Sequence, residues 1–101
     1  MITNISIIKS EGNISIHTVK EEDKENYIAF ELKGDLIDHL RKLSDMQGID
    51  VREIIWEERY NSDCIMFAIV ENEINETIGF CEIENLTSSE PTIGITLAEE
   101  Y

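Results

Sequence analysis

Between residues 63 and 97 the hydrophobic positions gather into three short runs: Asp63 to Val70, Thr77 to Ile83 and Thr92 to Leu97. Each run is rich in β-branched and aromatic residues and bounded by Asn, Glu, Ser or Pro, the pattern of strands. The first is apolar almost throughout, which predicts a strand covered on both faces. Gly79, inside the second, marks a place where something packs close to the backbone. Together the three runs predict an antiparallel meander, with the helical material before it packed on one face.

Upstream, Asn4 to Lys9 and Asn13 to Val19 alternate Ile with polar residues, as half-buried strands do. Gly12, between them, can supply the positive φ of a tight hairpin loop. Residues 21–33 then read as a helix. Glu21, Glu22 and Asp23 suit its first turn, Tyr27, Ile28 and Leu32 form its stripe, and Gly34 suits a left-handed residue after it. Leu36, Ile37, Leu40 and Leu43 carry helical spacing through 35–46, ending near Gly48. A third helix opens at Asp50, an N-cap whose expected capping box is closed by Glu53 and flanked by a staple of Ile49 and Ile54. Val51, Ile54, Ile55 and Trp56 face inward, and Asn61-Ser62-Asp63 ends it with turn chemistry. Pro91 stands at a strand entrance, where a missing N–H is tolerated. The order of elements predicts one α+β domain over 1–101, with strands in 4–19, helices in about 21–60 and strands in 63–97.

A chain of 101 residues holds one core at most. Its formal charge of −14 gives nothing to phosphate neutralisation, which excludes nucleic acid and an anionic membrane surface as expected partners. Acidity serves solubility first, but amines and basic peptides would also be attracted. No run approaches the ~20 apolar residues of a membrane span. Met1-Ile2-Thr3-Asn4 lacks the basic opening of a signal peptide, so a cytoplasmic location is expected. In that setting the Asn-x-Ser/Thr triplets at Asn4, Asn13, Asn75 and Asn85 reflect composition. Cys64 and Cys81 have no metal spacing and should be free thiols, although their neighbouring strands leave a disulfide open.

No phosphate loop, zinc cluster or nucleophile elbow is present in the sequence. Acidic residues are so abundant that carboxylate pairs arise by chance. His17 on a strand and His39 on a helix read as structural or solvated. By composition and periodicity alone, the chain is a soluble α+β domain.

A resemblance adds to this. Phe67-Ala68-Ile69-Val70, a polar hairpin, Thr77-Ile78-Gly79-Phe80, a variable loop, then Ile93-Gly94-Ile95-Thr96-Leu97-Ala98-Glu99-Glu100-Tyr101 resembles the central part of the GNAT-family N-acetyltransferases. His17-Thr18-Val19-Lys20-Glu21-Glu22-Asp23 sits where that family has its first strand and the entry to its first helix. The likeness spans roughly residues 13–101 and implies the N-terminal half of the acyl-CoA N-acyltransferase fold. The implied activity of the full-length protein is transfer of acetyl from acetyl-CoA to a primary amine, nearest the branch acting on ribosomal-protein N-termini or polyamines.

The family's pyrophosphate loop, Arg/Gln-x-x-Gly-x-Gly/Ala, would open a helix directly after Tyr101. The chain is accordingly expected to be a partial domain, inactive alone, with no acetyl-CoA bound and no metal. The resemblance assigns the backbone of Ile95, Thr96 and Leu97 to the cofactor's pantetheine arm and acetyl carbonyl, Leu97 being the expected donor. Thr92 stands where the family often has its catalytic Glu, which leaves Glu90 and Glu82 as candidate bases. Trp56 and Asp35 are the expected acceptor-pocket residues, with Thr92. The edge strand Thr92 to Leu97 is expected to self-associate. The alternative expectation is a small acidic interaction domain sharing only the meander.

Overall fold

The computed structural model describes residues 1–34 and 36–98. Five strands form one antiparallel sheet in chain order: β1 (Ile8–Glu11), β2 (Ile14–Thr18), β3 (Cys64–Glu71), β4 (Glu76–Glu84) and β5 (Thr92–Leu97). Three helices stand between β2 and β3: α1 (Lys24–Leu32), α2 (Ile37–Gln47) and α3 (Val51–Tyr60). This is the expected α+β architecture, with the two upstream strands joining the three-strand meander in one sheet.

Local chemistry explains most boundaries. Glu11 faces Ile14 across a two-residue loop whose Gly12 has φ of 60°, the positive value that a tight hairpin demands. β1 starts at Ile8 and not at Asn4, because Asn4 to Ile7 lies apart from the ladder and is tied down locally. Lys20 Nζ donates to the Thr3 carbonyl at 2.7 Å and also to that of Ile5, and Ile7 N–H donates to Thr18 Oγ1 at 3.1 Å. The first helical segment opens with one 3-10 turn, Glu21–Asp23, in which the Asp23 carboxylate accepts from Lys20 N–H at 2.9 Å.

Gly34 is not left-handed. α1 closes instead with i→i+3 bonds, Gly34 N–H to Glu31 O at 3.0 Å. The left-handed glycine is Gly48 after α2, at φ 65°. Asp50 does cap α3, accepting from Arg52 N–H at 2.8 Å, but the reciprocal bond from Glu53 is not formed and the cap is single-sided.

The core lies between the sheet and two of the helices. Val19, Tyr27, Ile28, Ile55, Trp56, Met66, Ala68 and Phe80 form one buried cluster, with Phe30, Leu40 and Val51 packed at its margin. Phe80 meets Tyr27 and Phe30 edge-on, each with ring centroids 5.2 Å apart. α2 buries no residue fully and acts as an outer layer. In β3, residues from Cys64 to Ala68 are all buried, so both faces are covered as its unbroken apolar run predicts.

Directly opposed residues share a face. Ala68 opposes Phe80, Met66 opposes Glu82 and Cys64 opposes Glu84, so this set faces the helices. The pairs Glu84 with Thr92, Glu82 with Gly94 and Phe80 with Thr96 extend the face onto β5. Phe67, Cys81 and Ile95 lie on the other side. Cys64 and Cys81 are both free and, contrary to the open possibility of a bridge, occupy opposite faces.

Gly79 is where β5 comes closest. A Cβ built there would lie 2.4 Å from the Thr96 carbonyl oxygen and 3.0 Å from Leu97 Cα, distances that backbone atoms do not permit. Gly79→Ala is therefore expected to destabilise the fold by about 1–3 kcal/mol. Amide exchange should show protection lost across Thr92–Leu97 while β2 and β3 keep theirs. Unchanged protection in β5 would contradict the close approach.

Candidate functional site

The helix-side positions of β4 run Phe80, Glu82, Glu84, passing from core to two carboxylates within five residues. Arg59, in the last turn of α3, meets them. Its Nη1 donates to Glu84 Oε1 at 2.7 Å and pairs with Glu82 Oε2 at 2.9 Å. Its Nε donates to Tyr27 Oη at 3.3 Å. One guanidinium thus ties α1, α3 and β4 together. The side chains of Arg59 and Glu82 are each about four-fifths covered, which makes their charges costly unless paired.

The electrostatics of the two carboxylates diverge. Burial pushes the Glu82 carboxyl up to about 7, Arg59 works against that shift, and the nearby Glu84 reinforces it. Glu84 is more exposed and is held below the usual carboxylate range by its hydrogen bond from Arg59. Two carboxylates on one nitrogen titrate as a unit, and here Glu82 carries the proton first. Burial also raises Glu31, and lifts the Tyr27 phenol to about 12. Strongly shifted groups with a specific partner are what acid–base chemistry uses.

β5 brings backbone chemistry beside this cluster. Gly94 opposes Glu82, and a Cβ at Gly94 would lie 3.3 Å from Glu82 Oε1. The missing side chain leaves room for the carboxylate to lie across the strand. Ala98 N–H bonds the Ile78 carbonyl at 2.7 Å, so alternation along an antiparallel ladder turns the N–H groups of Leu97, Ile95 and Ile93 to the outer edge. Among the described residues no strand pairs with that edge. Ile93, Ile95 and Leu97 are 75%, 67% and 45% exposed.

The sequence-derived candidates fall unevenly on this geometry. Glu82 is at its centre, and Thr92 lies beside Glu84 on the same face. Glu90 is exposed in the loop before β5, its N–H bonded to Ser88 Oγ, and is not brought in. Trp56 is 4% exposed and packs edge-on to Tyr27 at 6.2 Å, a core residue with no open face. Asp35 lies outside the described residues. Among the described residues no group of His, Cys, Asp and Glu could hold a metal ion. His17 Nε2 stands 3.1 Å from Asp23 Oδ1, which fits its reading as structural. Sequence reasoning missed Arg59, Tyr27, Glu31 and Glu84. The available signal was Arg59 itself, a cation three residues beyond the apolar Trp56 and next to Glu57 and Glu58.

The fold is that of a GNAT-like α+β domain. A search of solved structures finds the chain similar to a ribosomal-protein-S5-alanine acetyltransferase from Vibrio fischeri, with a TM-score of 0.58 and 14% sequence identity. The similarity covers 94% of this chain and 57% of that one. No protein-family model matches the chain, and no curated protein matches it. No helix among the described residues is long and apolar enough to cross a membrane.

The raised Glu82 carboxyl sets a direction for stability against pH. Folded chains hold this proton up to about pH 7, whereas unfolded chains release it near 4.5. Its contribution is therefore complete below about 4.5 and is lost as pH rises through 7. Glu82→Gln, a neutral mimic, should melt close to the parent at pH 5 and roughly 4 °C above it at pH 8. Parallel melting curves across that range would show that Glu82 is ionised throughout.

Proposed function

We propose that the chain is the acceptor-side portion of an N-acetyltransferase that moves acetyl from acetyl-CoA to a primary amine. The single observation that carries this is the placement of Glu82 against Gly94 of β5, on a fold similar to an acetyltransferase. In this reading the outward N–H groups of β5, Leu97 foremost, hold the acyl carbonyl and the amide-bearing arm of the cofactor. The amine approaches from the helix side and its nitrogen attacks the thioester carbonyl. Glu82, ionised near neutral pH, takes the proton, and the coenzyme leaves as thiolate. Arg59 positions the carboxylate, and Tyr27 positions Arg59. The chain spans 57% of the similar structure, so cofactor grip, acceptor and partners of the whole protein are part of the proposal.

The test is transfer of labelled acetyl from acetyl-CoA to a panel of amines and peptide N-termini, using the polypeptide that carries this chain. Glu82→Gln should lower kcat/KM about a hundredfold and remove the limb of the pH profile that rises through 7. Transfer to none of the amines by a protein that binds acetyl-CoA would overturn the reading.

Without cofactor on it, the outer edge of β5 is also proposed to accept the same strand of a second copy, as exposed apolar edges do. Sedimentation velocity should show a concentration-dependent dimer, strengthened by salt because each copy carries −14. Ile95→Lys should abolish it. A monomer at every concentration and salt would refute this association.

A further inference from the structure

One concavity lies away from the Arg59 cluster. A groove of about 570 Å³ runs along the outer face of α3, from Gln47 and Ile49 at one end to Asn61 and Ser62 at the other. Its apolar floor is chiefly Ile49, which is 38% exposed, with Ile54 beneath it at 3%. Glu53, Glu57 and Glu58 line its walls. Two columns at helical i, i+4 spacing make this surface, Glu53–Glu57–Asn61 and Ile54–Glu58–Ser62.

Glu53, in the first turn of α3, suits the dipole, but the rest of the charge opposes the helix that bears it. Glu53 and Glu57 repel each other one turn apart. Glu57 and Glu58 stand in the second half of α3, where the dipole favours cations. Among the described residues none of the three takes part in an ion pair, whereas Arg52 and Arg59 of the same helix are paired elsewhere. The only hydrogen bond that a side-chain oxygen of the three makes there is between Glu57 and Asn61. The helix therefore bears an unrelieved electrostatic cost, and it does so around an apolar depression.

We infer that this groove is a docking site for a basic peptide segment, one apolar side chain resting on Ile49 and Ile54 and flanking Lys or Arg side chains meeting Glu53, Glu57 and Glu58. Charge complementarity selects this occupant. A second copy of the chain would bring another −14 against the same wall, and an anionic or neutral partner would leave the repulsion in place. The site is independent of acetyl transfer, since it lies on the face of α3 away from β4 and its readout is binding alone.

The probe is a fluorescein-labelled peptide, Lys-Arg-Leu-Lys-Arg-Lys, titrated by anisotropy at low salt with no acetyl-CoA present. Replacing Glu53, Glu57 and Glu58 by Gln together should weaken binding about tenfold. The same change at Glu11, Glu73 and Glu76, exposed at the opposite end of the sheet, removes equal charge and should weaken it less than about twofold. Replacing Leu by Ser in the peptide, or Ile49→Ser in the protein, should also lower affinity. The groove variant should melt no lower than the parent, which shows that any loss is not unfolding. Equal effects of the two triple variants would reduce the attraction to net charge and overturn the site, as would failure of the peptide to bind.

Discussion

Everything in this fold rests on the burial of β3 from both sides. Cys64 to Ala68 have no exposed face, and a strand with no polar row can exist only where layers enclose it. Removing apolar surface from water is the dominant favourable term in folding. Here it forces β2 and β4 to flank β3 and draws α1 and α3 onto one side. Met66 and Ala68 project into the contact with Ile28, Ile55 and Trp56, and Phe80 of β4 continues it. The Arg59 cluster is a boundary phenomenon of that layer. It forms where the apolar content of β4 runs out and the helices still cover it.

Much of this architecture was legible because it follows from period and punctuation. The continuous run in β3, the alternation of Ile14 and Ile16, and the turn residue Gly12 each dictate a backbone geometry with few alternatives. Gly79 announced a close approach, and the Thr96 carbonyl is what approaches. Boundaries were less legible where two local solutions compete. At Gly34 the chain closes α1 with 3-10 turns, and at Asp50 the cap bonds one donor where the sequence offers two. The segment from Asn4 to Ile7 has strand composition, yet Lys20 and Thr18 claim its carbonyls and N–H groups.

The site was far less legible, for a physical reason. With 22 Asp and Glu in 101 residues, no carboxylate stands out by type. What distinguishes Glu82 from Glu90 is coverage and a partner, and both are tertiary facts. Arg59 lies 23 positions from Glu82 in sequence and 2.9 Å from it in space. The same abundance hid the groove on α3, where the spacing of Glu53 and Glu57 is ordinary on a solvated helix and acquires meaning only beside an apolar floor. Trp56 shows the converse. A lone tryptophan invites a binding role, but its ring is enclosed by Tyr27 and Tyr60.

The opposite orientations of the two cysteines bear on how this chain behaves outside a reducing compartment. Cys64 points into the helix layer and Cys81 to the far side, with the sheet itself between them. No rotamer change can bring the sulfurs to bonding distance, so oxidation cannot staple the domain. Burial also raises both thiols, keeping the reactive thiolate scarce. A domain built this way gains no internal cross-link from an oxidising medium. Its durability there rests on packing, the sheet ladder and the Arg59 pairs instead of a covalent bridge.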